Sequence, residues 1–123
     1  MTRGKLIPDD SHPITVTPTP GRVRVVVGET VIAESDSSLT LQEASYPPVQ
    51  YVPLPDIDPA VLSRTETSTY CPFKGDASYY SVSTPSGTVV DAGWTYDDAY
   101  DAVAEITGHV AFYPDRASVT VEG

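Results

Sequence analysis

Twelve prolines punctuate the 123-residue chain. Proline lacks a backbone N–H and its ring clashes with the preceding helical turn, so a chain broken this often cannot be built from long helices. Between the prolines lie runs in which valine, threonine and tyrosine alternate with polar residues, the period of a strand with one buried face. Eight glycines supply turn positions. The chain is therefore expected to fold as a mainly β, single compact domain of eight or nine short strands, whether barrel, sandwich or tent-like, with one late α-helix. Its length suffices to bury a core without metal or disulfide support.

Residues 1–11 are polar and aperiodic and read as a flexible lead-in, leaving 12–123 as the β-rich domain. "GRVRVVVGETVIAES" puts Val23, Val25 and Val27 on one face, with Gly28-Glu29 as a hairpin turn. "SLTLQEA" follows with Leu39 and Leu41 inward, and "SYPPVQYVPLP" reads as extended chain. "PDIDPAVLS" suits one helical turn, with Asp58 as cap and Pro59 in an early position. "RTETSTYC" is an exposed strand, and "ASYYSVSTPSGTVVDAGWTY" a hairpin about "TPSG" with Tyr80, Val82, Val89 and Trp94 available to the core. "DDAYDAVAEIT" carries the helix, with Ala99, Val103 and Ile106 as its apolar stripe and Gly108 at its exit. Two last strands flank a "YPDR" turn.

Seventeen acidic against seven basic residues give a formal charge of -10, which repels phosphate backbones and anionic lipid surfaces. Neither nucleic acid nor membrane is an expected partner. No run approaches the roughly 18 apolar residues of a spanning helix, and the N-terminal stretch lacks the apolar core of a signal peptide. A single cysteine cannot form an internal disulfide. The expected location is the cytoplasm.

Chemistry concentrates in "YCPFKGDASYY". Cys71 stands three residues from Lys74, and a neighbouring cation favours the reactive thiolate, although a cysteine more often serves as a small buried apolar group. Nucleophilic catalysis needs a base, and His109, where the late helix meets a strand, is the candidate. Lys74 and Asp76 flank Gly75, where the ammonium can meet an anionic group or simply pair with the aspartate in solvent. His12 reads as the start of a strand. Asp56 and Asp58 form a D-x-D pair of the kind that holds magnesium, yet prolines on both sides favour turn and cap roles. No paired Cys or His spacing indicates a metal, and no cofactor is expected. Tyr46, Tyr51, Tyr79, Tyr80, Trp94, Tyr96 and Tyr113 are the aromatic residues that can line a cleft.

Three stretches taken together, "HPITVTPTPGRVRVVVGETVIAES", "CPFKGDASYYSV" and "GHVAFYPDR", resemble a bacterial and fungal family known as domain of unknown function family 427, from about His12 to Glu122. The resemblance implies a compact, mostly β, single-domain cytoplasmic protein. The family also carries a nucleotidyltransferase-like label, but this chain lacks the Gly-Ser loop and helically spaced acid pair of true nucleotidyltransferases. Family members often have histidine before the cysteine, where this chain has Tyr70.

Three functional readings follow. In the first, a pocket near "CPFKGDASYY" and "GHVAFYPDR" binds a small, anionic molecule through Tyr46, Lys74, Asp76, Tyr79, Trp94, Tyr113 and Arg116, with Cys71 and His109 beside it. In the second, Cys71 and His109 are nucleophile and base of a small enzyme. In the third, the motifs only fix turns and strand register in an interaction module whose exposed edges favour a homodimer.

Overall fold

Alternating sequence becomes alternating burial in the computed structural model, which describes residues 4–122. Its ten strands are β1 (Ile14–Pro18), β2 (Arg22–Val27), β3 (Thr30–Ser35), β4 (Leu39–Glu43), β5 (Val49–Pro53), β6 (Leu62–Cys71), β7 (Gly75–Thr84), β8 (Gly87–Tyr96), β9 (His109–Phe112) and β10 (Ser118–Glu122). Seven form one sheet in the order β1-β4-β5-β9-β8-β7-β6, and three form a second in the order β10-β2-β3. All paired neighbours are antiparallel, and the seven-stranded sheet stays open. The arrangement is a mainly β single domain, with somewhat more strands than the turn signals suggested.

The tight turns follow their sequences. Gly28 and Glu29 both adopt positive φ, 52° and 68°, giving the twist that a two-residue hairpin loop between β2 and β3 requires. The β7–β8 hairpin turns at Pro85-Ser86, inside the "TPSG" stretch. In "CPFKG" the Lys74 N–H donates to the Cys71 carbonyl at 3.1 Å, Pro72 takes the second turn position that its fixed φ suits, and Gly75 leaves the turn at φ 111°. The motif is thus the tip of the β6–β7 hairpin.

The two faces of the large sheet are covered differently. On one, Val52, Val82, Val110 and Phe112 pack against Val23, Val25, Val27, Ile32 and Ala33 of the small sheet. On the other, Leu41, Tyr51, Ala77, Tyr79, Tyr96 and Ala111 meet Ala99, Val103 and Ile106 from the segment between β8 and β9. Strand alternation sends successive residues to opposite faces, so Tyr79 joins the aromatic side and Tyr80 packs on the aliphatic one. No helix among the described residues is long and apolar enough to cross a membrane.

The late α-helix is corrected by the structure. Asp101–Ile106 is a 3₁₀ segment, interrupted at Val103 where φ is -132°. Its flanks are already tied to neighbouring chain: the Tyr100 N–H donates to the Lys74 carbonyl and the Gly108 N–H to the Tyr96 carbonyl. Six residues held at both ends close i→i+3 bonds rather than α turns. The apolar stripe was still informative, since Val103 and Ile106 are fully buried. A second 3₁₀ turn, Leu54–Asp56, precedes Asp58, whose carboxylate accepts the Ala60 N–H without a helix following.

β5 pairs with β9 only at Val52↔Val110 and Pro53↔His109, whereas β9 follows β8 as far as Phe112. Beyond Val110 the β5–β9 ladder stops. The start of β5 and the end of β9 therefore border a slot in the large sheet.

Candidate functional site

Parity along β4 builds the polar end of the site. Leu39 and Leu41 face the aromatic side, so Glu43, two residues on, faces the same way. From the opposite edge the β6–β7 tip turns Lys74 inward until only 8% of the residue is exposed. Lys74 Nζ donates to Glu43 Oε1 at 2.5 Å, and His12 Nε2 lies 2.8 Å from Glu43 Oε2. His12 is itself held by a stacked Phe73 ring at 4.3 Å. Burial pushes the Glu43 carboxyl up, but the hydrogen bonds from Lys74 and His12 outweigh it and hold that carboxyl below its ordinary range.

The pair opens onto a cavity of about 260 Å³ whose walls include Leu41, Val49, Tyr51, Tyr79, Trp94, Tyr96 and Tyr113, with Tyr46 and Pro47 at its rim. Tyr46 is 60% exposed, as a mouth residue should be. Trp94 and Tyr113 contact each other with centroids 4.6 Å apart, and Tyr51 meets the Trp94 ring edge-on. The Trp94 indole N–H donates to the Tyr51 hydroxyl at 3.2 Å. Burial pushes the hydroxyls of Tyr51 and Tyr96 upward and that of Tyr113 to about 12, so all three stay neutral near pH 7. The cavity offers phenol donors, π faces and one ammonium–carboxylate pair.

Several anticipated residues meet here: Tyr46, Lys74, Tyr79, Trp94 and Tyr113 all line the cavity. Others are placed elsewhere. Asp76 is exposed on β7 opposite Tyr70. Arg116 donates to the carbonyls of Val90 and Asp91 and covers the outer side of the Tyr113 ring, outside the cavity lining. It steadies a bulge at which Asp91 has φ 52° and accepts hydrogen bonds from Thr65 and Thr67.

Cys71 is a half-buried free thiol whose Sγ is 3.9 Å from Lys74 Nζ. His109 sits at the start of β9 with Nδ1 3.2 Å from the Thr107 carbonyl, and no hydrogen bond joins it to Cys71 among the described residues. The imidazole nearest the lysine is that of His12, which the sequence suggested only as a strand start. Tyr70, at the position of the family's histidine, hydrogen-bonds the Tyr100 hydroxyl and the Gly4 carbonyl, both at 2.7 Å. Residues 4–8 pass beside that tyrosine, with the Leu6 N–H donating to the Pro72 carbonyl.

Of the D-x-D pair, Asp56 accepts from the Ser35 hydroxyl at 2.6 Å and Asp58 caps its own turn. No cluster of three or more His, Cys, Asp or Glu side chains fit for a metal occurs among the described residues. Glu43, Leu41, Pro47 and Val49 are the cavity residues that the sequence motifs did not single out. Glu43 had a signal, because the Leu39-x-Leu41-x-Glu43 alternation continues the inward face of β4.

No curated protein matches the chain. A family profile described as Domain of unknown function (DUF427) matches residues 15–123, which takes in Glu43, Lys74 and every aromatic wall of the cavity. The chain belongs to that family.

Proposed function

We propose that the domain binds a small planar molecule bearing an oxygen acceptor, an amide or a carboxylate, in the cavity beside Lys74. The observation that carries this reading is a pair of unspent donors. An ammonium has three N–H groups, of which Glu43 takes one and the Cys71 sulfur lies at the far limit for a second. The Tyr96 hydroxyl faces the cavity from a residue only 5% exposed and has no hydrogen-bond partner among the described residues. The hydroxyl is open to the cavity rather than sealed in the core, so it is available to a ligand acceptor. An acceptor oxygen satisfies both donors, and the Trp94 and Tyr113 rings cover the planar remainder.

The volume restricts the ligand to the small side, below the roughly 300–1,000 Å³ of drug-sized pockets. Charge restricts it further. Lys74 and Glu43 cancel each other within the site, and the protein carries -10 overall, so a polyanion is disfavoured.

Trp94 is the only tryptophan in the chain and lines the cavity, which makes its emission the direct readout. Titration with benzamide, nicotinamide and benzoate is expected to change that emission saturably, with affinity lowered at least tenfold in both Lys74→Met and Tyr96→Phe. Benzylamine, which offers no acceptor, is expected to leave the emission unchanged. No saturable response to any of the three, or equal affinity in Tyr96→Phe, contradicts the reading.

A further inference from the structure

A second, larger hollow of about 470 Å³ adjoins the cavity on the far side of Trp94. Tyr46, Pro47, Val49 and Trp94 border both spaces. The connection has a cause in the sheet: the β5–β9 ladder ends at Val110, so the large sheet is open at the start of β5. Through that slot the second hollow continues to Phe112, Pro114 and the β10 valines Val119 and Val121. In a chain with 20% charged residues, no charged side chain among the described residues lines it, and Gln50 is their only polar side chain there apart from the shared aromatic tips. Val121 nevertheless remains 45% exposed.

We infer that the slot and hollow receive an aliphatic tail carried by the ligand of the cavity, so that the ligand class is an amphipathic planar amide or acid. This rests on the cavity reading above. The occupant follows from continuity and from composition. A tail leaving a head group held at Lys74 has the Tyr46–Val49 and Trp94 boundary as its path, and the surface beyond offers only apolar contact. Burying methylenes there replaces water on exposed valine, proline and aromatic surface, the usual source of such affinity.

The test is a chain-length series. Benzoate, 4-methylbenzoate, 4-butylbenzoate and 4-hexylbenzoate are titrated against the intact protein by Trp94 emission. Affinity is expected to rise by up to about fourfold per added methylene, the ratio that full burial of a CH₂ gives. The slope is expected to fall in Val121→Asp, a change on a half-exposed edge-strand position, with its urea denaturation midpoint checked to lie near that of the native protein. Benzoate binding with no dependence on tail length overturns the tail site and leaves the cavity reading standing. An equal slope in Val121→Asp overturns it also, because the tail is then elsewhere. Failure of benzoate itself to bind overturns both. Concentration-dependent association of the ligand-free protein, abolished by Val121→Asp, would assign the hollow to a second copy and overturn the tail site.

Discussion

The two faces of the seven-stranded sheet use the same strands to opposite ends. The face under the small sheet is mostly aliphatic: Val52, Val82 and Val110 are fully buried against Val23 and Val25 of that sheet, and shape and area do the stabilising. The other face is built of tyrosines, a tryptophan and an ammonium–carboxylate pair around a cavity. One face is closed by the second sheet; the other opens through a cavity lined by tyrosines, Trp94 and the Lys74–Glu43 pair.

That contrast can be broken most forcefully from the aliphatic side. Val82→Ala is expected to lower unfolding free energy by about 2–3 kcal/mol, the transfer loss of the missing methyls plus the void they leave, as measured by urea denaturation. Because Val82 does not line the cavity, its variant should keep whatever ligand affinity the native protein has.

Lys74→Met gives a smaller loss of about 1–2 kcal/mol at pH 7, since the Glu43 carboxylate keeps His12 and some solvent contact. The loss is expected to depend on pH. With its folded value below the ordinary 4.5, Glu43 contributes stability that is fully present above that value and is lost as pH falls through the lower, folded one. The gap between native and Lys74→Met proteins should therefore narrow as denaturation is repeated from pH 7 down to below 4. A gap constant across that range would mean that Lys74 acts by packing alone.

The smallest stability effect is expected for Tyr96→Phe, within about 0.5 kcal/mol in either direction, because the lost hydroxyl has no partner among the described residues. Its effect on ligand affinity should be large. A substitution nearly silent in denaturation and costly in binding is the sharpest expression of the difference between the faces. Had the Tyr96 hydroxyl been a structural hydrogen-bond donor, the order would be reversed.

Much of the fold was legible because period-two patterning and turn chemistry are local. Val23, Val25 and Val27 declared one face of β2, and Gly28-Glu29 declared its hairpin. The late helix was misjudged for a reason that is not local. The stripe of Ala99, Val103 and Ile106 is real, but the backbone bonds that cramp the segment come from Lys74 and Tyr96, outside it.

The site was legible in kind more than in pairing. Tyrosines and "CPFKG" stood out as unusual, and five residues singled out for binding do line the cavity. The partner of Lys74 could not be read from its neighbours. Asp76 is adjacent in sequence but exposed across the hairpin, while Glu43 arrives from a strand 31 residues away through sheet order alone. Arg116 illustrates the same limit, since its "YPDR" context places it beside Tyr113 but on the outer side of the ring.

The most direct test of the difference between the faces is an isotope-filtered NOE experiment on the protein with benzamide or benzoate in excess. Intermolecular NOEs from ligand ring protons to Trp94, Tyr96 and Tyr113, with none to the methyls of Val25 or Val82, are the expected result. NOEs spread over the surface, or none to the three aromatic rings at saturating ligand, would contradict the assignment of the aromatic face as a binding site.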